Sequence, residues 1–244
     1  MTVLKGEGKV PILFGSTSIA VGSKTHRGYL ARPDLAGEWP TVIVVPSVWG
    51  VTSSVKDLCR RLARRGLAAI APDFYRGAAP DQRVDRDAAL PAAAALSLPQ
   101  AAADLGDIAS YVANPAGFWS SAERGFAVLG IGWGGTLAVE VAVARNADAV
   151  GLVAAPLDEA VAHGLGAFPG GVLGLYGRDD EVVPIDGVLA ARAHLPHAEI
   201  VVYDAVGHDF VDDLRPAFDE PAAKDAIERL SIFFEKHLPP APPY

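Results

Sequence analysis

Three stretches of the chain carry residues whose types and order could perform acid–base and carbonyl chemistry. The first is GIGWGG, Gly130 to Gly135, between a strand-like run and a helix-like run. Small residues packed this densely let a backbone turn sharply from strand into helix, the context that mounts a nucleophile at the centre of a G-x-S-x-G elbow. Here the centre is Gly132, which has no side chain with which to attack. The N–H that follows, on Trp133, is a candidate oxyanion donor. The second stretch is YGRDDEVVP, residues 176–184, which places Asp180 just past a strand, where a carboxylate can orient a histidine; Asp179 is its neighbouring candidate. The third is DAVGHDF, residues 204–210, with His208 in a Gly-flanked loop.

Each stretch also has an ordinary reading. GIGWGG could be a plain Gly-rich helix entry or an anion site at a helix N-terminus. Its likeness to a dinucleotide fingerprint is superficial, since it follows a strand past mid-chain and no acidic residue closes the next strand. Asp180 could cap a helix, and His208 could be a surface histidine. Order is what joins them, because elbow, acid and histidine each fall just after a strand, in that sequence along the chain. His26, His163, His194, His197 and His237 have no such placement and receive no role. Cys59 sits on the apolar face of an arginine-rich helix and reads as a buried structural thiol.

The elements that must position these loops alternate in period. A leading antiparallel pair is expected over 16–31, and strands over 41–46, 67–72, 125–130, 147–155, 170–177 and 199–204. Helices are expected over 55–67, 100–113, 134–145, 185–195 and 221–237, the last with Ala223, Ile227, Leu230 and Phe234 on one face. Strands alternating with helices predict an α/β fold, a mainly parallel sheet covered on both faces with its chemistry at the carboxyl ends of the strands. Residues 77–103, rich in Ala, Pro and Asp, are expected to form an excursion, and 238–244 (LPPAPPY) a loose tail, on a single domain spanning 1–244.

Composition bounds the function. Half of the 244 residues are hydrophobic, which suits a packed core, and the net charge of -8 argues against a nucleic-acid or anionic-membrane surface. A single cysteine excludes an intrachain disulfide, and the N-terminal stretch lacks a secretory h-region. A cytoplasmic enzyme acting on a small molecule, monomeric or homodimeric, without a membrane or nucleic-acid partner, is the expectation.

With these residues in view, the chain resembles the dienelactone hydrolase-like members of the α/β-hydrolase superfamily over nearly its whole length. The matching pieces are VVPSVWGV (44–51), GLAAIAPDFYRG (66–77), GIGWGG, the G-x-x-D-x-x-V-P run from Gly177 to Pro184, and GHDF followed by the last helix. The resemblance implies an α/β-hydrolase fold with a seven- to eight-stranded sheet, no metal and no organic cofactor. It also implies Asp180 and His208 as two triad members and the Val48 and Trp133 N–H groups as the oxyanion hole. The nucleophile position is held by Gly132, and Ser47 stands where the enzymes acting on dienelactone carry a glutamate. Asp212 stands near the place of an arginine that would hold a substrate carboxylate, which argues against dienelactone itself. Arg83 or Arg86 could supply a positive charge from the excursion, and Trp49 and Trp133 could line an apolar pocket.

Gly132 leaves several functions open. The chain could be an ester or lactone hydrolase whose nucleophile has been replaced, deliberately or naturally. It could be a cyclase, isomerase or lyase using His208 as general base, or a small-molecule binder without turnover. Ser47 is a weaker candidate for the attacking group, since a loop hydroxyl more often bonds to backbone.

Overall fold

The computed structural model describes residues 10–81, 86–113 and 119–239. Its strands are β1 (Ile12–Val21), β2 (Lys24–Pro33), β3 (Thr41–Val45), β4 (Ala68–Pro72), β5 (Phe126–Ile131), β6 (Ala149–Val153), β7 (Gly171–Gly177) and β8 (Glu199–Tyr203). Its α-helices are α1 (Ser53–Arg64), α2 (Arg86–Ala94), α3 (Leu98–Ala113), α4 (Gly134–Ala144), α5 (Glu159–Gly166), α6 (Ile185–Arg192) and α7 (Glu220–His237). The eight strands form one sheet in the order β1-β2-β4-β3-β5-β6-β7-β8. β1 and β2 pair antiparallel, β2 pairs antiparallel with β4, and every other pairing is parallel. This is the expected mostly parallel α/β-hydrolase sheet.

The central strands are apolar on both faces, as a sheet covered twice requires. In β3, Ile43 and Val45 face one layer and Val42 and Val44 the other. The first layer is closed by α3 through Leu105 and Ile108, α4 through Leu137 and Val141, and α5 through Leu165. The second is closed by α1 through Leu58, Cys59 and Leu62, and by α7 through Ala226, Leu230 and Phe234. Two helix starts follow from capping side chains. The Thr52 hydroxyl accepts the Val55 N–H ahead of α1, and Asp219 accepts the Ala222 N–H ahead of α7. Leu238, which ends that last segment, is buried against the second layer.

Several elements differ from expectation. The leading pair runs 12–33 rather than 16–31, because the Gly22–Ser23 turn lets both strands continue in register. Within 77–103 lie all of α2 and the start of α3. Ala89 and Ala93 of α2 pack on Val48 and Trp49, and Pro91 sits inside that helix. α5 was not foreseen; Gly164 and Gly166 dilute its apolar pattern.

The chain lays β4 on one side of β3 and then crosses to place β5 on the other. A crevice opens where strand order reverses in this way, at the carboxyl ends of the strands on either side. Ser47 follows β3 and Gly132 follows β5, so both loops lie at that switch point.

Candidate active site

Gly132 caps β5 in the left-handed region, with φ +50, and its N–H donates to the Val153 carbonyl at 2.9 Å. The glycines around it are forced by contact. A Cβ on Gly130 would lie 2.5 Å from the Gly135 Cα, one on Gly134 2.5 Å from the Pro46 carbonyl oxygen, and one on Gly135 2.3 Å from the Ala155 Cβ. Gly132 differs: a Cβ there would meet nothing closer than 3.5 Å, and its nearest neighbours would be His208 Nε2 and the Ser47 Cβ. Three glycines make the turn feasible, while the fourth leaves space beside an imidazole nitrogen.

His208 and Asp180 come together as their order predicts. His208 Nδ1 lies 2.8 Å from Asp180 Oδ2 and 3.0 Å from Oδ1. The Asp180 side chain is fully buried, and its Oδ1 also accepts the N–H groups of Val182 and Val183, each at 2.8 Å. Those bonds fix the carboxylate rotamer before it meets the imidazole. With a carboxylate on Nδ1, the proton belongs on that nitrogen, and the lone pair is left on Nε2, facing Gly132. Asp179, the neighbouring candidate, is exposed.

Backbone strain collects at the same edge of the sheet. Ala154, after β6, has φ +45, and Ala205, after β8, has φ +58. Non-glycine residues held in this region are uncommon and concentrate at functional sites. The Ala154 N–H donates to the Leu175 carbonyl at 2.9 Å, which ties that turn to β7.

A small cavity of about 40 Å³ lies here, its walls including Ser47, Gly132, Ala154, His208, Asp209 and Asp212. That volume holds about three waters, so any larger ligand must extend beyond it. The Ser47 hydroxyl is buried in this wall and receives the Trp49 N–H at a long 3.5 Å. The loop carrying it is held by the Gly50 N–H on the Ser47 carbonyl at 3.0 Å and by the Tyr75 hydroxyl on the Val48 carbonyl at 2.7 Å.

The remaining sequence candidates fall elsewhere. Trp49 is buried outside the cavity wall, packed with Val48, Ala89, Ala93 and Trp133, and the Arg215 guanidinium stacks 3.9 Å from its ring centroid. Trp133 is half-buried, with its ring edge on Phe74. Arg86 is described, at the start of α2, and Arg83 lies outside the described residues. Among the polar groups that line the cavity, sequence reasoning missed Ser54 and Asp209 and had Asp212 only as the residue near an arginine's expected place. Ser54 donates to Asp212 at 2.7 Å, and Asp212 also accepts the Leu214 N–H at 3.1 Å. Burial pushes the Asp209 carboxyl above its usual range. Both acids were visible in HDFVDD, but only the fold turns Asp209 and Asp212 toward the same space.

The sequence pattern of the dienelactone hydrolase family matches residues 26–238. The chain belongs to the dienelactone hydrolase family. A Salmonella typhimurium protein named "Putative carboxymethylenebutenolidase" is 36% identical over 91% of this chain and 87% of its own length. One of the same name from Escherichia coli is 33% identical over 93% and 88%. Among solved structures, the "Putative Dienelactone Hydrolase" from Klebsiella pneumoniae superposes with a TM-score of 0.80 at 32% identity, covering 93% of this chain and 99% of that one. That family is one of hydrolases. No helix among the described residues is long and apolar enough to cross a membrane.

Proposed function

We propose that this dienelactone hydrolase family member hydrolyses an ester or lactone by direct attack of water, with His208 as general base and Asp180 as its orienter. The observation that carries the reading is the empty position at Gly132, where a Cβ would sit 3.5 Å from His208 Nε2. A water in that space stands where the family nucleophile would. The water oxygen attacks the carbonyl carbon while its proton passes to Nε2. Asp180 stabilises the imidazolium that results. The tetrahedral intermediate collapses by breaking the carbon–oxygen bond to the alkoxide, which takes the proton back from Nε2. The products are a carboxylic acid and an alcohol, or one hydroxy acid from a lactone.

The N–H groups of Val48 and Trp133 are the proposed oxyanion donors. Among the described residues, neither donates to a backbone carbonyl. Each belongs to a loop braced from behind: Val48 by the Tyr75 hydroxyl on its carbonyl, Trp133 by the elbow glycines. Donors fixed in advance need no reorganisation as charge develops.

The cavity wall also narrows the substrate. Asp209 and Asp212 line it beside His208, and a substrate carboxylate placed there meets like charge. An uncharged ester or lactone suits this wall better than an anionic dienelactone.

Ser47 offers a second attacking group, because its Cβ lies 3.5 Å from the same position. Two variants separate the readings. In steady-state hydrolysis of a neutral aryl ester, H208A is expected to lose at least about 10²-fold, the range for a general base. S47A is expected to stay within about twofold of the parent. Retained turnover in H208A overturns the general-base role, and loss of turnover in S47A moves the attack from water to that serine.

A further inference from the structure

We infer that His26, Asp104 and Asp107 form a binding site for a first-row divalent cation, zinc foremost, clipping β2 to α3. Asp104 and Asp107 are three residues apart on α3 and so share one face of that helix. His26 projects from β2 onto the same spot. One ligand atom from each of the three lies within 4.8 Å of the others.

The imidazole is what points to a ligand. The His26 side chain is 6% exposed, and its buried Nε2 has no hydrogen-bond partner. A buried polar atom without a partner is destabilising, and such atoms are uncommon in native folds. His26 Nε2 nonetheless lies 3.3 Å from Asp107 Oδ2, and its Nδ1 lies 3.8 Å from Asp104 Oδ1. In tetrahedral zinc with ligands at about 2.0–2.1 Å, neighbouring ligand atoms stand about 3.3–3.4 Å apart. The pair of His26 and Asp107 therefore already has the spacing of two zinc ligands, and Asp104 supplies a third ligand atom within 4.8 Å.

The charges around the cluster suit an exchangeable site. Lys24 Nζ rests on Asp107 at 2.8 Å, Arg76 lies 3.5 Å from Asp104, and the Gln100 amide donates to Asp104 at 2.7 Å. Both basic side chains are more than half exposed, at 51% and 71%, so each can swing into solvent as a cation enters. One imidazole with two carboxylates is a nitrogen–oxygen donor set suited to zinc and its first-row neighbours rather than to calcium. The cluster opens onto a cleft of about 540 Å³ that has no lining residue in common with the cavity at His208. The site is accordingly separate from the proposed hydrolytic one.

The test is titration of the purified chain with zinc sulfate in competition with a chromogenic chelator, alongside a thermal melt. The parent is expected to bind one zinc per chain at micromolar or lower concentration and to gain several degrees in Tm, because a ligand of the folded state alone stabilises it. D107N, a conservative change on the helix surface, is expected to weaken binding at least about tenfold. H26A should do the same where it folds. K24A is expected to bind as tightly as the parent or tighter. Absence of binding overturns the inference, as does undiminished binding in D107N. Loss of binding in H163A also overturns it, by moving the cation to the cleft that His163 shares with Glu159 and His194.

Discussion

At the residue scale, the site turns on what each side chain can and cannot do beside His208. Asp180 holds Nδ1 and is itself held by two backbone N–H groups. D180N keeps the shape but offers an amide where the imidazole requires an anionic acceptor. It is expected to reduce turnover by roughly 10³–10⁴-fold with little change in KM, the pattern seen when a triad histidine is left in the wrong tautomer. Asp209 gives a prediction with a sign. Burial raises its pKa above the ordinary 3.8, so the stability it allows is fully present below that value and is lost as pH rises through its folded pKa. D209N removes the buried charge. Its Tm should exceed the parent's at pH 7, and the gap should close as the melt is repeated toward pH 3.8. Asp180 and His208 were legible in the sequence through their order along the chain, and Gly132 and Ser47 through their places in the matching motifs. Ser54 and Asp209 were not, because nothing in their local pattern says that they turn toward the cavity, and Asp212 was legible only as the residue near an arginine's expected place.

At the element scale, the elbow between β5 and α4 is fixed by contact rather than by propensity. G135A places a Cβ 2.3 Å from that of Ala155, and no flexible side chain is there to yield. The overpacking should destabilise the chain by about 1–3 kcal/mol in urea denaturation. G164A is the opposite case. Its Cβ would meet nothing within 4 Å on α5, and the change should stabilise by about 0.5–1 kcal/mol by limiting the unfolded backbone. The strands of the sheet were readable because β-branched runs such as TVIVV have few other uses. α2 was not, since alanines around Pro91 give it little apolar periodicity and its packing on Val48 and Trp49 is a tertiary matter. The same limit hid His26. On a strand it looks like any half-polar position, and only the docking of α3 brings Asp104 and Asp107 to it.

At the scale of the whole molecule, the two helical layers bury the sheet so completely that the single cysteine is sealed within the second. Cys59 has no exposed surface, and burial pushes its thiol up to about 12. A thiol reagent should therefore react with it only when the whole domain opens, at a rate that follows global unfolding. That silence makes position 132 open to a direct test, because any fast acylation must come from the site. A serine there would lie within reach of His208 Nε2 but would have to adopt the left-handed backbone of Gly132, at a cost of about 1–3 kcal/mol. The decisive measurement is intact-mass spectrometry of the parent and of G132S, quenched during turnover of a neutral aryl ester, with the rate followed in parallel. The proposed mechanism predicts a His208-dependent rate and no acyl adduct in the parent. It predicts an acyl adduct and a faster burst in G132S, together with that loss of stability. An acyl adduct on the parent chain, or a G132S variant that is neither acylated nor faster, would contradict the claim that Gly132 marks the empty seat of the nucleophile.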